Sequence, residues 1–534
     1  MSIRDDHPAE PYLSRRANWN THLERHALTL ADHPAIRFEG KTTTWARLHH
    51  RVVSLADAFA RRGVRFGDRV AVIMGNRPEF IETLLATTRL GAIAVPLNFR
   101  LTGVEAAHIL ADCGAVLVVA DEIGKPIVQA AFAPSSPSGP VPRVLVVKAS
   151  AAPFESYADA MSEAAAPREP ANVPESSPAL IMYTSGTTGR PKGAVLSHQN
   201  LQSQALTIIR AFRFGGEEEV NLIASPLFHI GALGSVVPTI LVGGTIAVMP
   251  TASFSSTALL ELLEDEGVTS VFLVPTQWQA VCDDPTVGTR NLDRLRTIAW
   301  GAAPASETLL RTMAETFPAS RNVALFGQTE MSPVTCVLDG TDSVRKLGSV
   351  GKPIATVAAR VVDPEMNDVT PGEVGEIVYR GPGLMQGYWD NPEATAEAFR
   401  GGWFHSGDLV RLDDEGYVYV VDRAKDMIIS GGENIYCAEV ENALAAHPLI
   451  ADVGVVGRPH PVWGETPVAY VVLRDPDQGL DIESLRRWAS GSVAKYKLPT
   501  RLEILPSLPR NASGKVLKGA LRDHDSIPAA PPAP

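Results

Sequence analysis

Hydrophobic positions in the first third of the chain alternate between two periods. Over 44–63, Leu48, Val52, Leu55, Ala56 and Phe59 recur three and four residues apart, which is the stripe of an amphipathic helix, and Gly63 supplies a stop. A short apolar run at 69–74 follows the turn Phe66-Gly67-Asp68 and reads as a strand. The segment 78–90 opens on a proline, closes before Gly91 and reads as a helix. A strand at 92–97, a helix at 102–113 and a strand at 115–120 continue the alternation, and similar strand runs return at 220–224, 245–249, 270–274 and 297–300. Strands separated by helices of about 10–15 residues predict βαβ units and a mainly parallel sheet.

Past residue 350 the pattern changes. Short β runs at 358–362, 375–379 and 417–421 are broken by Pro-Gly turns, and the charged stretch Asp422-Arg423-Ala424-Lys425-Asp426 follows. A helix at 438–446, strands at 452–457 and 467–473, and a helix at 482–493 complete a small α+β pattern. The expected fold class is therefore α/β: a large N-terminal domain of mainly parallel α/β sheets (residues 1–423) that includes a small β subdomain, then a small α+β C-terminal domain (424–522). The tail 523–534 ends in Ala and Pro and is expected to be disordered. The stretches 133–140 and 164–178 read as loops or linkers, and the chain contains no internal repeat.

Composition narrows the function. The 534 residues are 45% hydrophobic, enough for large cores, which rules out disorder as a whole. A net charge of −12 argues against a nucleic-acid binder that works by neutralising phosphates, but not against anionic ligands, because a local site can oppose the net field. The four cysteines (Cys113, Cys282, Cys336 and Cys437) form no C-x-x-C pair, so neither a disulfide framework nor a zinc cluster is expected, and the setting reads as a reducing cytoplasm. Residues 1–13 lack the apolar core of a signal peptide. No apolar run reaches the roughly 18–20 residues that span a bilayer; the nearest, 236–250, is interrupted by Pro238, Gly243 and Gly244. A chain without a transmembrane segment is expected, with monomer and homodimer both open.

The strand Leu180-Ile181-Met182-Tyr183 runs into Thr184-Ser185-Gly186-Thr187-Thr188-Gly189-Arg190-Pro191-Lys192-Gly193. Hydroxyls add donors, glycines let backbone N–H groups approach an anion, and the lysine adds a point charge. A Walker A loop would need Gly and Ser/Thr where Pro191 and Gly193 stand. On residues alone, this is either a phosphate loop or a Ser/Thr/Gly hairpin with no ligand.

The loop resembles the phosphate-binding signature of the acyl-adenylate-forming superfamily, which joins acyl-CoA synthetases, firefly-type luciferases and peptide-synthetase adenylation domains. The resemblance continues in order through Pro226-Leu227-Phe228-His229, Trp300-Gly301-Ala302-Ala303-Pro304, Phe326-Gly327-Gln328-Thr329-Glu330 and Gly387-Tyr388-Trp389-Asp390-Asn391-Pro392. It extends to Trp403-Phe404-His405-Ser406-Gly407-Asp408, the 422–426 stretch, Ser430-Gly431-Gly432-Glu433-Asn434-Ile435-Tyr436 and Pro509-Arg510-Asn511-Ala512-Ser513-Gly514-Lys515. Its texture is similar to bacterial, especially actinobacterial, fatty-acyl-CoA ligases.

That resemblance implies a two-step chemistry. A carboxylate is a poor acyl donor to a thiol because its leaving group would be oxide; attack on the α-phosphate of ATP makes an acyl adenylate whose leaving group is AMP. ATP, Mg²⁺ and CoA are the implied cofactors. The loop residues Thr184, Ser185, Gly186, Thr187, Thr188, Gly189 and Lys192 would bind phosphates, with Lys192 also catalytic. Glu330 and Thr184 would hold magnesium, and Thr329 would contact the α-phosphate. Gly301, Ala302 and Ala303 would lie against adenine, with Phe326, Gly327 and Gln328 beside the nucleotide; Phe326 keeps a stacking face where relatives more often carry tyrosine. Asp408 would accept the ribose hydroxyls, and Arg423 would contact ribose and phosphate. Lys515 would neutralise charge as carboxylate and α-phosphate meet, and Gly431 and Gly432 would flank the pantetheine channel.

His229, Trp278, Trp300 and Met331 are the candidates for the acyl site; core packing is the other reading of Trp278, Trp300 and Met331. Lys425 would be the pivot of a mobile C-terminal lid. Cys437 replaces a commoner proline and reads as structural. The first functional reading is a long- or medium-chain fatty-acid–CoA ligase with fatty acid, ATP and CoA as partners, cytoplasmic, with peripheral membrane attachment left open. An aryl-CoA ligase and a carrier-protein-loading acyl-AMP ligase are the alternatives. A luciferase-like oxygenase would use the same adenylation parts, and a non-enzymatic relative is disfavoured by the presence of Lys192, Glu330, Asp408, Arg423 and Lys515.

Overall fold

The stripe at 44–63 becomes the helix Trp45–Arg61, whose Leu48, Val52, Leu55, Ala56 and Phe59 are all buried and whose first turn is capped by the Thr44 hydroxyl. In the computed structural model, which describes residues 16–132, 142–148, 154–162, 170–184, 191–303, 305–431, 433–510 and 516–524, the predicted alternation follows. Strand Arg69–Ile73, helix Pro78–Arg89, strand Ile93–Pro96, helix Gly103–Asp112 and strand Ala115–Ala120 succeed one another. The N-terminal stretch 1–13, the stretch 133–140 and most of the tail lie outside the described residues, as does part of 164–178.

The chain divides into two units, one of Met1–Ala358 with Arg380–Gly402 and one of Ala359–Tyr379 with Trp403–Pro534. The first holds a nine-stranded and an eight-stranded sheet. In the nine-stranded sheet, Val220–Ile223, Ser270–Leu273, Thr297–Gly301 and Arg321–Gly327 run parallel to one another, and antiparallel strands close the edges. Their near-continuous apolar runs are what strands buried on both faces require. In the eight-stranded sheet, Arg69–Ile73 pairs in parallel with Ile93–Pro96 and Ala115–Ala120. Strand Pro178–Thr184 then turns back antiparallel into Lys192–Ser197, which pairs at the edge with the two residues Gly387–Tyr388.

The second unit holds a four-stranded sheet (Ala358–Val362, Val374–Arg380, Phe404–Leu412, Val418–Arg423) and a five-stranded sheet around the hairpin Ile450–His460 and Gly464–Leu473. Helices Cys437–Ala445 and Ile482–Ala489 bury Val440, Leu444 and Leu485 in a core with Val455, Ala469 and Val471. The fold is mixed α/β, with a large N-terminal part of mainly parallel sheets and a smaller C-terminal α+β part. Among the described residues no helix is long and apolar enough to cross a membrane.

Candidate active site

Open parallel sheets bind ligands beyond the carboxyl ends of their strands. Thr297–Gly301 and Arg321–Gly327 are parallel neighbours, with Gly301 opposite Leu325, and both run directly into motif residues. Gly301 has to be glycine: a Cβ would stand 2.2 Å from the Leu325 carbonyl oxygen. Ala302 and Ala303 are exposed, and Ala302 holds a left-handed φ of 65°, a conformation that costs a non-glycine residue roughly 1–2 kcal/mol. This leaves a bare, exposed backbone against which a flat base can lie. Phe326 and Gly327 end the second strand. Gln328 follows in extended conformation, and its Nε2 is buried with no hydrogen-bond partner among the described residues. A buried unsatisfied donor is a place where a ligand acceptor would be held. Thr329 opens the short helical turn Thr329–Met331.

Glu330, next in that turn, is 8% exposed. Its Oε1 accepts the Tyr388 hydroxyl at 3.0 Å, and its backbone carbonyl accepts the Met385 N–H at 2.8 Å. Burial, and then the Glu330 carboxylate, push the Tyr388 phenol up, so the hydroxyl remains a donor. Lys192 Nζ lies 5.3 Å from the centroid of the same ring. Thr184 is paired with Lys192 across the hairpin and donates its hydroxyl to the Lys192 carbonyl at 3.4 Å. The structure thus gathers Lys192 and Glu330 around Tyr388, with Thr184 alongside. Ser185, Gly186, Thr187, Thr188 and Gly189 lie outside the described residues, as do Gly432 and Lys515.

Among the described residues no group of three or more His, Cys, Asp or Glu side chains is placed for a metal ion. Magnesium at a nucleotide, however, takes one or two carboxylates and completes its shell with phosphate oxygens and water. The single buried carboxylate of Glu330 fits that requirement: Oε1 is held by Tyr388, and Oε2 makes no hydrogen bond among the described residues.

On the acyl side, His229 caps helix Ile230–Val242, its Nδ1 accepting the Gly231 N–H at 3.2 Å. Burial pushes the imidazole down, so the ring is neutral and Nε2 carries the proton. The loop before it is held by Asn76, whose side chain donates to the Ser225 carbonyl at 3.0 Å and accepts the Leu227 N–H at 2.8 Å. A shallow depression too tight to admit a water molecule lies beside this turn, lined by Ala224, Ser225, Gly231, Ala232, Ser235 and Phe272 among others. Trp278 is fully buried, donates to the Ala299 carbonyl at 2.9 Å and meets Phe317 edge-on. Trp300 is buried and donates to Asn322 Oδ1 at 2.9 Å, and Met331 is buried in its turn. Both indole N–H groups are already bonded, so these residues can form an apolar wall but offer it no donor.

In the second unit, Asp408 and Arg423 face each other across paired strands and form an ion pair of 2.5 Å, with Asp408 2% exposed. Gly431 has φ 60° and donates its N–H to the Trp463 carbonyl at 2.8 Å; a Cβ there would stand 2.8 Å from the ring of Trp463, an exposed side chain. Lys425 is exposed in the turn before strand Ile428–Ser430.

Cys437 is fully buried and gives its thiol to the Asp426 carbonyl at 3.0 Å. Burial pushes all of Cys113 (to about 12), Cys282 and Cys437 up, away from the thiolate. Mass spectrometry of the enzyme trapped during turnover is therefore expected to find no acyl-cysteine, and isolation of one at any of the four positions would overturn this placement.

The residue that sequence reasoning left without a role is Tyr388. Its motif was recognised, but its partners lie 58 residues away at Glu330 and across a sheet edge at Lys192. The signal available was its place between Gly387 and Trp389, where a half-buried phenol needs a partner for its hydroxyl.

The AMP-binding enzyme family matches residues 23–389, and the AMP-binding enzyme C-terminal domain matches residues 439–515. A feruloyl-CoA synthase of an Amycolatopsis species is 43% identical over 495 residues, 91% of this chain and 95% of that protein. The structure of o-succinylbenzoate CoA synthetase from Bacillus subtilis, solved with its acyl-adenylate intermediate, is 32% identical with a TM-score of 0.85, covering 96% of this chain and 99% of the other. A fatty acyl CoA synthetase of Mycobacterium tuberculosis is 32% identical with a TM-score of 0.77, covering 95% and 98%. With a family match over more than half its length and these relatives along nearly all of it, the chain belongs to the AMP-binding enzyme family.

Proposed function

We propose that this AMP-forming acid–CoA ligase acts on an aromatic acid. The reaction is acid + ATP + CoA → acyl-CoA + AMP + diphosphate. The acid's carboxylate attacks the α-phosphate and diphosphate leaves; the CoA thiol then attacks the acyl carbon and AMP leaves. The observation that carries the aromatic reading is the 43% identity to a feruloyl-CoA synthase across 91% of this chain. The fatty-acid reading drawn from motif texture is the competing one, and the lower identity of 32% to the fatty acyl CoA synthetase gives it less support.

In this reading Lys192 and the hydroxyl-rich loop draw in the phosphates, and Glu330 with Thr184 would hold magnesium, which supplies charge neutralisation at the phosphates when bound. Thr329 meets the α-phosphate, while Ala302, Ala303 and Phe326 flank the adenine, with Gln328 offering its free amide N–H. By the family resemblance Asp408 would receive the ribose hydroxyls, Arg423, its ion-pair partner, would contact ribose and phosphate, and Lys515 would neutralise charge as carboxylate and α-phosphate meet. His229 presents a neutral Nε2–H near the acid. Steady-state release of AMP, rather than ADP, with CoA as acceptor tests the reaction. Hydroxycinnamate-type and benzoate-type acids are expected to exceed medium- and long-chain fatty acids in kcat/KM by at least about tenfold, the scale at which an apolar pocket discriminates shape. A higher kcat/KM for any fatty acid, or activity only with an acyl carrier protein as acceptor, would overturn the reading.

A further inference from the structure

Segment 385–389 is fastened through its backbone on both sides. Met385 N–H donates to the Glu330 carbonyl at 2.8 Å, Gln386 N–H to Val195 at 2.9 Å and Trp389 N–H to Gly193 at 2.7 Å, while Tyr388 N–H donates to the Thr395 hydroxyl at 2.9 Å. These bonds fix the fold locally without the Tyr388 side chain. That side chain makes two further contacts of a different kind: its hydroxyl fixes Oε1 of Glu330, and its ring face lies under the Lys192 ammonium. One phenol therefore touches an anion and a cation that come from separate sheets.

We propose that Tyr388 is a positioning residue of the nucleotide site, which aims the Glu330 carboxylate and the Lys192 ammonium at one bound triphosphate. This rests on the reading of Glu330 as the metal-holding carboxylate. Bonding one carboxylate oxygen selects a single rotamer and leaves the other oxygen for the cation, a preorganisation that lowers the ordering cost of binding. The ring face holds the long lysine side chain by cation–π attraction before the phosphates arrive.

The test is ATP binding to the full chain by titration calorimetry, with and without magnesium. Tyr388→Phe removes the hydroxyl and keeps the ring. Its metal-free ATP affinity is expected to match wild type within about twofold, while its MgATP affinity falls about tenfold, the scale of one hydrogen bond to a charged group. Tyr388→Leu is expected to lose, in addition, about two- to fivefold in metal-free affinity, the scale of an exposed cation–π contact. Magnesium dependence of Glu330→Gln separates the two levels of the inference. If Glu330→Gln loses the magnesium gain and Tyr388→Phe keeps it in full, the role of Tyr388 is overturned alone. If Glu330→Gln also keeps the gain, the metal reading falls and the role of Tyr388 falls with it. Equal metal-free affinities in the Phe and Leu variants would overturn the part assigned to the ring.

Discussion

Glu330→Gln is expected to lose adenylate formation by about 10²–10³-fold, the scale of losing one preorganised charge at a developing phosphoryl transition state. Glutamine is nearly isosteric, and its amide oxygen can still accept the Tyr388 hydroxyl, so the local bond survives. Glu330 is buried, and exchanging a buried carboxylate for a neutral amide removes a desolvation cost rather than adding one. The variant should therefore fold like the wild type. What it lacks is the ionised oxygen that a hard cation demands. Magnesium-dependent exchange of labelled diphosphate into ATP, measured in the presence of the acid, reads this step without the thiol. A kcat like that of the wild type at low magnesium would remove Glu330 from the metal site.

The legible parts of this fold were those in which one element announces itself locally. Leu48, Val52, Leu55, Ala56 and Phe59 spell a helix because burying one stripe imposes a period of 3.6 residues, and all five are buried. The parallel strands were legible as apolar runs because both faces are covered. The run at 236–250 is an interrupted apolar stretch, and its interruptions have a structural meaning. Pro238 sits inside helix Ile230–Val242, and Gly243 ends that helix at φ 79° before strand Thr245–Val248.

The parts that stayed hidden depend on pairing between distant segments. Strand Gly387–Tyr388 is two residues long, and its partner Ala194–Val195 is remote in sequence, so no periodicity marks it. The site follows the same division. The residue types of the phosphate loop and of Gln328-Thr329-Glu330 carry their chemistry openly, whereas the clamp of Tyr388 on Glu330 exists only once two sheets are assembled. The surroundings of His229 follow the same division: Ala224 and Ser225 come from a strand end, Gly231, Ala232 and Ser235 from a helix, and Phe272 from a neighbouring strand. Motif residues report the shared chemistry, and the wall beside them is set by segments distant in sequence.

Two variants of the C-terminal part are expected to break opposite halves of the reaction. Lys515 is proposed to neutralise charge as the carboxylate meets the α-phosphate, and Gly431 and Gly432 are proposed to border the path of the thiol. If a single rigid arrangement cannot present both to one acyl carbon, the lid must turn about a short pivot, and Lys425 is the residue proposed for it. Lys425 is exposed, but the segment around it is bonded: Asp422 accepts the Cys437 N–H, the Asp426 carbonyl accepts the Cys437 thiol, Ala424 N–H donates to the Gly407 carbonyl at 2.9 Å and the Lys425 carbonyl accepts Arg522 at 3.4 Å. A turn about Lys425 would have to exchange these bonds for others. Lys425→Pro fixes φ near −65° and restricts Ala424 as well, which holds the segment in one arrangement. It is expected to keep adenylation and lose thioester formation. Lys515→Ala is expected to lose adenylation by about 10²-fold or more, as removal of one transition-state charge does, and still to convert supplied acyl-AMP into acyl-CoA. Diphosphate exchange reads the first half and conversion of synthetic acyl-AMP with CoA reads the second. Equal loss of both halves in both variants would mean that the two steps share one arrangement, and the alternation would be discarded.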